Sequence, residues 1–188
     1  DLKLNGSKLD LIKAVLSRLV DFKVGMDIYV ESDIPAGSGL GSSSTMCVAL
    51  IHAISKFYNK KLTKEETARL AYEIERIDMD MAGGLQDQWC AAFGGFNLME
   101  FTGDLNVVVN PLKMRDTVRD NLLRHLVLIN TGKSRMSDGI LRDQIGILEN
   151  YPSMVLQHYF YLKEIAQKME VSLYFEDVEM FGILLDDA

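Results

Sequence analysis

From Asp33 to Thr45 the chain reads Asp-Ile-Pro-Ala-Gly-Ser-Gly-Leu-Gly-Ser-Ser-Ser-Thr. Gly37, Gly39 and Gly41 would let backbone amides approach an anion closely, and Ser42, Ser43, Ser44 and Thr45 put hydroxyls where an apolar helix begins. A glycine-rich turn feeding a helix start is a phosphate cradle, because the first helical amides are unpaired and the helix dipole favours negative charge there. The hydroxyls could cap amides, touch phosphate or ligate Mg²⁺. Two familiar phosphate loops do not fit. No Lys follows Gly41, as a Walker loop requires, and Ser42 stands where a dinucleotide loop needs its third glycine. The plain alternative is a flexible turn with a capping serine.

Further along lie Glu73, Glu75 and Asp87, the last beside Gln86 and Gln88 and just after Gly83-Gly84. A carboxylate and a hydroxyl suit Mg²⁺, which takes its remaining ligands from phosphate and water. A second carboxylate could accept a hydroxyl proton. The plain readings are a solvated helix residue for Glu75 and a dipole-favoured carboxylate for Asp87. Lys133 and Arg135 flank Ser134 in Thr-Gly-Lys-Ser-Arg, a basic pair that could hold an anionic substrate group or be ordinary surface charge.

The elements that must position these residues follow from periodicity. Leu9, Ile12, Leu16, Leu19 and Val20 mark a helix over residues 8–20. Met26, Ile28 and Val30 alternate with polar residues as in a half-buried strand. Cys47, Leu50, Ile51, Ile54 and Phe57 or Tyr58 form the apolar stripe of the helix after the loop. Thr63-x-x-Glu66 is a capping box opening a helix to about Ile77, with Leu70, Ala71, Ile74 and Ile77 inward. A short helix is expected over 86–92, strands at 96–101, 107–109 and 126–130, and helices through most of 137–188. Helices and strands without a regular alternation favour an α+β fold.

Composition narrows the class. The 188 residues are 48% hydrophobic and 25% charged, ordinary for a globular chain, and no apolar run is long enough for a membrane helix. With 20 basic against 27 acidic residues the net charge is −7, and no basic stripe appears, so nucleic acid is not an expected partner. Any anion must be drawn in locally. Cys47 and Cys90 read as reduced, buried thiols of a cytoplasmic protein, and His52 as a structural residue of its helix.

Pro35-Ala-Gly-Ser-Gly-Leu-Gly-Ser-Ser-Ser-Thr45 closely resembles the second motif of the GHMP kinases, Pro-x-x-x-Gly-Leu-Gly-Ser-Ser-Ala. Glu73 to Trp89 is similar to the family's stretch from a metal-binding Glu to a catalytic Asp, and Glu75 and Asp87 have the matching twelve-residue spacing. Ala91-Ala-Phe-Gly-Gly-Phe-Asn-Leu-Met-Glu-Phe101, with Gly84-x-Gln-Asp-Gln88 and Asn130-Thr-Gly-Lys-Ser-Arg135, is most similar to the heptose 7-phosphate kinase branch. The resemblance implies an N-terminal domain like ribosomal protein S5 domain 2 over residues 1–125 and the start of a ferredoxin-like C-terminal domain over 126–188. It implies ATP held by Pro35, Gly37, Ser38, Gly39, Leu40, Gly41, Ser42, Ser43 and Ser44. Mg²⁺ would sit on Ser43 and Glu75 (Glu73 being the other candidate), Asp87 would act as base, and Gln86, Gln88, Lys133 and Arg135 would meet the substrate.

The implied reaction is phosphorylation of O1 of D-glycero-D-manno-heptose 7-phosphate, toward nucleotide-activated heptose. A fucose, galactose or mevalonate kinase, or a non-catalytic nucleotide-binding fragment, are the alternatives. The family's opening Arg-x-Pro segment and its late Gly-x-Gly-x-Gly-Gly motif are missing between Asp1 and Ala188, so the sequence reads as an internal stretch of a longer protein. A sheet edge left unpaired would allow a homo-oligomer.

Overall fold

The computed structural model describes residues 2–21, 25–35, 37–129 and 137–188. The chain divides into two compact units, one of residues up to Gly94 with the first part of the sixth helix to Arg142, the other from Gly95 to before that helix and from Asp143 onward.

In the first unit, α1 (Asp10–Leu19), α2 (Ser42–Phe57), α3 (Lys64–Tyr72) and α4 (Gln86–Phe93) pack together, α2 touching the other three. Their shared core holds Ala14, Val15, Leu19, Cys47, Val48, Leu50, Ile51, Ile54, Ala68, Ala71, Ile74 and Trp89. The inward face of α1 centres on Ala14, Val15 and Leu19, with Leu9 out in solvent, so the expected stripe is rotated. The helix α2 buries Cys47, Leu50, Ile51 and Ile54, while at its end Phe57, also expected inward, is exposed and Tyr58 half-buried.

The helix opened by Thr63 carries both arms of its capping box: Thr63 Oγ1 accepts from the Glu66 amide at 3.1 Å, and Glu66 Oε2 accepts from the Thr63 amide at 2.7 Å. It does not stay α-helical. After Tyr72 it widens into a π-helix over Glu73–Asp78, closed by the Met79 amide on the Ile74 carbonyl. Thr67, Ala68 and Ala71 set the buried face, which Ile74 and Glu75 continue three and four residues past Ala71. Ile77, expected inward, is 64% exposed, while Glu75 is fully buried.

In the second unit, β1 (Asn97–Phe101) and β2 (Val107–Pro111) form an antiparallel hairpin in which Met99 faces Val109. Its turn uses left-handed backbone at Gly103, Asp104 and Leu105. A helix the sequence reading passed over, α5 (Asp116–His125), buries Val118 and Leu122, and α8 (Val178–Asp187) packs on it and on α7 (Pro152–Tyr174). Before α7 comes α6 (Ser137–Asn150).

Two expected strands are absent. Residues 26–30 and 126–129 carry no ladder, because the only sheet among the described residues is the hairpin and nothing pairs with them. Tyr29 is accordingly 94% exposed, and Val127 and Leu128 are each 79% exposed. The fold is thus a mixture of helices and one small sheet. No helix of the described residues is long and apolar enough to cross a membrane.

At the entrance to α1, Asp10 gathers the amides of Asn5, Gly6 and Ser7, the Ser7 hydroxyl and Lys13 Nζ around one carboxylate. The Ser7 hydroxyl first, then Lys13 and the amides, hold it well below its ordinary value of 3.8. A depressed carboxylate stabilises the fold above its unfolded pKa, and that contribution drains away as pH falls toward the folded one. Asp10→Asn should therefore lower Tm at pH 7, with the gap to wild type narrowing in melts taken stepwise below pH 4. Thr63→Ala should cost about 1 kcal/mol in urea unfolding, the usual worth of a helix N-cap.

Candidate functional site

The glycine loop ends at Gly41, which sits in left-handed backbone (φ 65°) as the N-cap of α2. Gly37 and Gly39 share that conformation, with φ of 74° and 78°. No side chain caps α2, and the first intrahelical bond is made by the Thr45 amide on the Gly41 carbonyl. The amides of Ser42, Ser43 and Ser44 are thereby left for an external acceptor. Pro35, Ser38, Gly39 and Leu40 are exposed, and Gly37, Ser42 and Ser43 half-buried, so the loop is open to a ligand.

Directly behind this helix start lies Glu75. The Ser43 hydroxyl donates to its Oε1 at 2.6 Å, while the Ser44 hydroxyl and Gln88 Nε2 each donate to its Oε2 at 2.6 Å. Its side chain is fully buried, and no described Lys or Arg forms an ion pair with it. A buried carboxylate satisfied only by neutral donors is a charge without a counter-charge, and such groups pair with a cation or hold a metal. The donor set matches: a hydroxyl and a carboxylate oxygen, both hard, at the mouth of a phosphate cradle, are what Mg²⁺ uses alongside phosphate and water. The described residues assemble no cluster of three or more His, Cys, Asp and Glu that could hold a metal alone. Glu73, two residues earlier, turns the other way, with its carboxylate 3.5 Å from Arg18.

Asp87 is the second residue of α4 and exposed, one of the helix's first-turn acids. Its carboxylate lies against the loop: a Cβ built on Gly41 would come within 3.2 Å of Asp87 Cγ. The phosphate-loop end and the second carboxylate are thus neighbours. Loop 79–85, which delivers Asp87, is braced by Arg76, donating from Nε to the Gly84 carbonyl at 3.3 Å and from Nη1 to the Ala82 carbonyl at 3.2 Å. Gly83 faces that guanidinium so closely that a Cβ would sit 2.6 Å from it. Arg76 lies in the Glu73–Trp89 stretch that carries the resemblance, with no role of its own there; an Arg one residue after Glu75 and before a Gly-Gly loop is the signal for one.

Gln86 is exposed beside Asp87, whereas Gln88 is fully buried and points at Glu75. Lys133 and Arg135 lie outside the described residues, as do Asn130 and Ala36. Trp89 is entirely core. His52, expected to be structural, is exposed, because the apolar run around it wraps past the buried face of α2. Cys47 is buried as expected but Cys90 is exposed. Burial first and the Glu75 charge second push the Cys47 thiol far up, and burial first and Asp87 second raise that of Cys90. Both are poor nucleophiles.

Residues 10–95 match the family described as GHMP kinases N terminal domain. The chain is 40% identical to D-glycero-alpha-D-manno-heptose 7-phosphate kinase of Campylobacter jejuni over 184 residues, 96% of this chain and 53% of that protein. Mevalonate kinase of Pyrococcus horikoshii is 41% identical over 76 residues, 40% of this chain and 22% of its own. A crystal structure of a D-glycero-D-manno-heptose 1-phosphate kinase from Bacteroides thetaiotaomicron superposes with a TM-score of 0.78 at 35% identity, covering 98% of this chain and 55% of the other. The chain therefore spans about half the length of these heptose-phosphate relatives. With the glycine loop, the buried glutamate and the loop-facing aspartate all inside the matched segment, the chain belongs to the GHMP kinase family, carrying its N-terminal domain over residues 10–95.

Proposed function

We propose that the chain is part of an ATP-dependent sugar kinase that transfers the γ-phosphoryl group to O1 of D-glycero-D-manno-heptose 7-phosphate, a step toward nucleotide-activated heptose in the cytoplasm. The observation that carries this reading is the meeting of three groups: the Ser43 hydroxyl on Glu75, and Asp87 against Gly41. Phosphoryl transfer needs charge neutralisation and in-line positioning more than covalent help, and these groups stand where each could be supplied. The substrate class comes from the relatives. One is named for a heptose already phosphorylated at O7, the other for a heptose 1-phosphate. The loop-facing Asp87 beside exposed Gln86 suits a free sugar hydroxyl, and the former name fits a substrate with O1 free.

In this reading the amides from Gly37 to Ser44 hold the ATP phosphates, aided by the dipole of α2. Ser43 Oγ and Glu75 Oε1 hold Mg²⁺, which when bound offsets the charge spread over the phosphoryl oxygens. Asp87 lies at the loop's end to orient the sugar hydroxyl and take its proton. Arg76 fixes the loop that presents Asp87. Lys133 and Arg135 are proposed to receive the substrate's own phosphate. In the whole protein, residues 1–125 would complete the N-terminal domain, and 126–188 would begin a ferredoxin-like one.

Mg²⁺-dependent ADP release with D-glycero-D-manno-heptose 7-phosphate, set beside galactose, fucose and mevalonate, tests the substrate, and ³¹P coupling to the anomeric proton in the product tests the position. Turnover with mevalonate or a neutral sugar instead would overturn the heptose assignment. Asp87→Asn should lower kcat by about 100-fold or more, as loss of a general base does. Gly41→Ala forces a side chain into left-handed backbone and against Asp87. It should lower kcat and nucleotide affinity together, measured by steady-state kinetics and calorimetry.

A further inference from the structure

Gln88 follows Asp87 directly, yet the two side chains do opposite things. Asp87 is exposed at the loop, and Gln88 is fully buried with Nε2 on Glu75 Oε2. A carboxylate accepts only donors, so the amide can face it only through Nε2. Its other end, Oε1, is then left buried without a hydrogen-bond partner among the described residues. An unpaired buried acceptor is a standing cost. Replacing the amide by an apolar side chain of similar length would remove that cost and with it the donor to Glu75 Oε2, so the glutamine is here for what its amide does to Glu75.

What the amide does is asymmetric. Glu75 Oε2 takes donors from both α2, through Ser44, and α4, through Gln88, and is saturated. Its Oε1 has the Ser43 hydroxyl alone, on the loop side. With Oε2 pinned from two elements the carboxylate cannot rotate, and Oε1 is the oxygen kept toward the loop. The same helix that presents Asp87 outward thus braces Glu75 inward.

We infer that Gln88 is a positioning residue that aims Glu75 Oε1 at the metal site, and is not a sugar contact. This rests on the metal role proposed for Glu75, and the test separates the two. Calorimetric titration of ADP at graded Mg²⁺ is run on the wild type, Gln88→Met and Glu75→Gln. Partners that orient a ligating group are worth about 10- to 100-fold in metal affinity. Gln88→Met should therefore raise the half-saturating Mg²⁺ by about ten-fold. Its Mg²⁺-free ADP affinity and its KM for the heptose 7-phosphate should stay near wild type, while the loss of a donor to a buried carboxylate lowers its Tm.

A shift in Glu75→Gln with none in Gln88→Met would overturn the inference and leave the metal reading intact. So would a raised sugar-phosphate KM at unchanged Mg²⁺ dependence, which returns Gln88 to the substrate. No shift in either variant would remove the metal reading and this inference with it. If Gln88→Met does not fold, Gln88→Asn, whose amide is one methylene too short to reach Glu75, carries the same expectation and the same refutation.

Discussion

A carboxylate buried without a cation is expensive, with an effective penalty of several kcal/mol even after relaxation. In the first unit that cost falls on Glu75, and the surrounding structure is arranged to meet it. Ser43 and Ser44 come from the start of α2, Gln88 from α4, and Glu75 itself from the π-helix that continues α3. Three elements converge on two oxygen atoms. Each must keep its place for the carboxylate to stay satisfied, so the packing of α2, α3 and α4 and the geometry of the glycine loop form one problem. A metal held at Oε1 would relieve the remaining charge, which links the fold's least favourable burial to its chemistry.

The buried face of the helix shows how this demand is met. Thr67, Ala68 and Ala71 mark that face on α3, and Ile74 and Glu75, three and four residues past Ala71, continue it. Ile77 falls off it into solvent. Placing an Ile in water and a Glu in the core is locally unfavourable on both counts. It persists because donors await the Glu, an instance of local structure yielding where a site needs it.

Much of this was legible beforehand and some was not, for reasons that differ. The glycine loop, the capping box at Thr63 and the core stripe of α2 depend on local chemistry: positive φ at glycine, a hydroxyl three residues before an acid, a period of 3.6. Such signals sit in a few adjacent residues. The inward place of Glu75 sets an acid on the face of Thr67, Ala68 and Ala71, against the apolar pattern read from Ile77, and the role of Gln88 depends on a partner thirteen positions away. The strands expected at 26–30 and 126–130 failed for another reason. Alternation of apolar residues shows which face a strand would bury, but a strand exists only with a ladder partner, and the described residues offer none there.

The same distinction bears on how the two acids divide their work. Glu75 and Asp87 are both near the loop, yet their surroundings differ in kind. Glu75 is enclosed by donors fixed in the core, so its orientation is set before any ligand arrives. Asp87 is exposed on the first turn of α4, held by the backbone of a loop that Arg76 ties down through carbonyls. One carboxylate is positioned by hydrogen bonds to its own oxygens, the other by bonds to the chain that carries it. The first arrangement suits a group that must meet a cation in one geometry. The second suits a group whose oxygens must stay free for an incoming hydroxyl, since any fixed donor on Asp87 would compete with the proton it is proposed to accept. The division follows from where each backbone segment leaves the core, and Gly41 is too small to push Asp87 away from the loop.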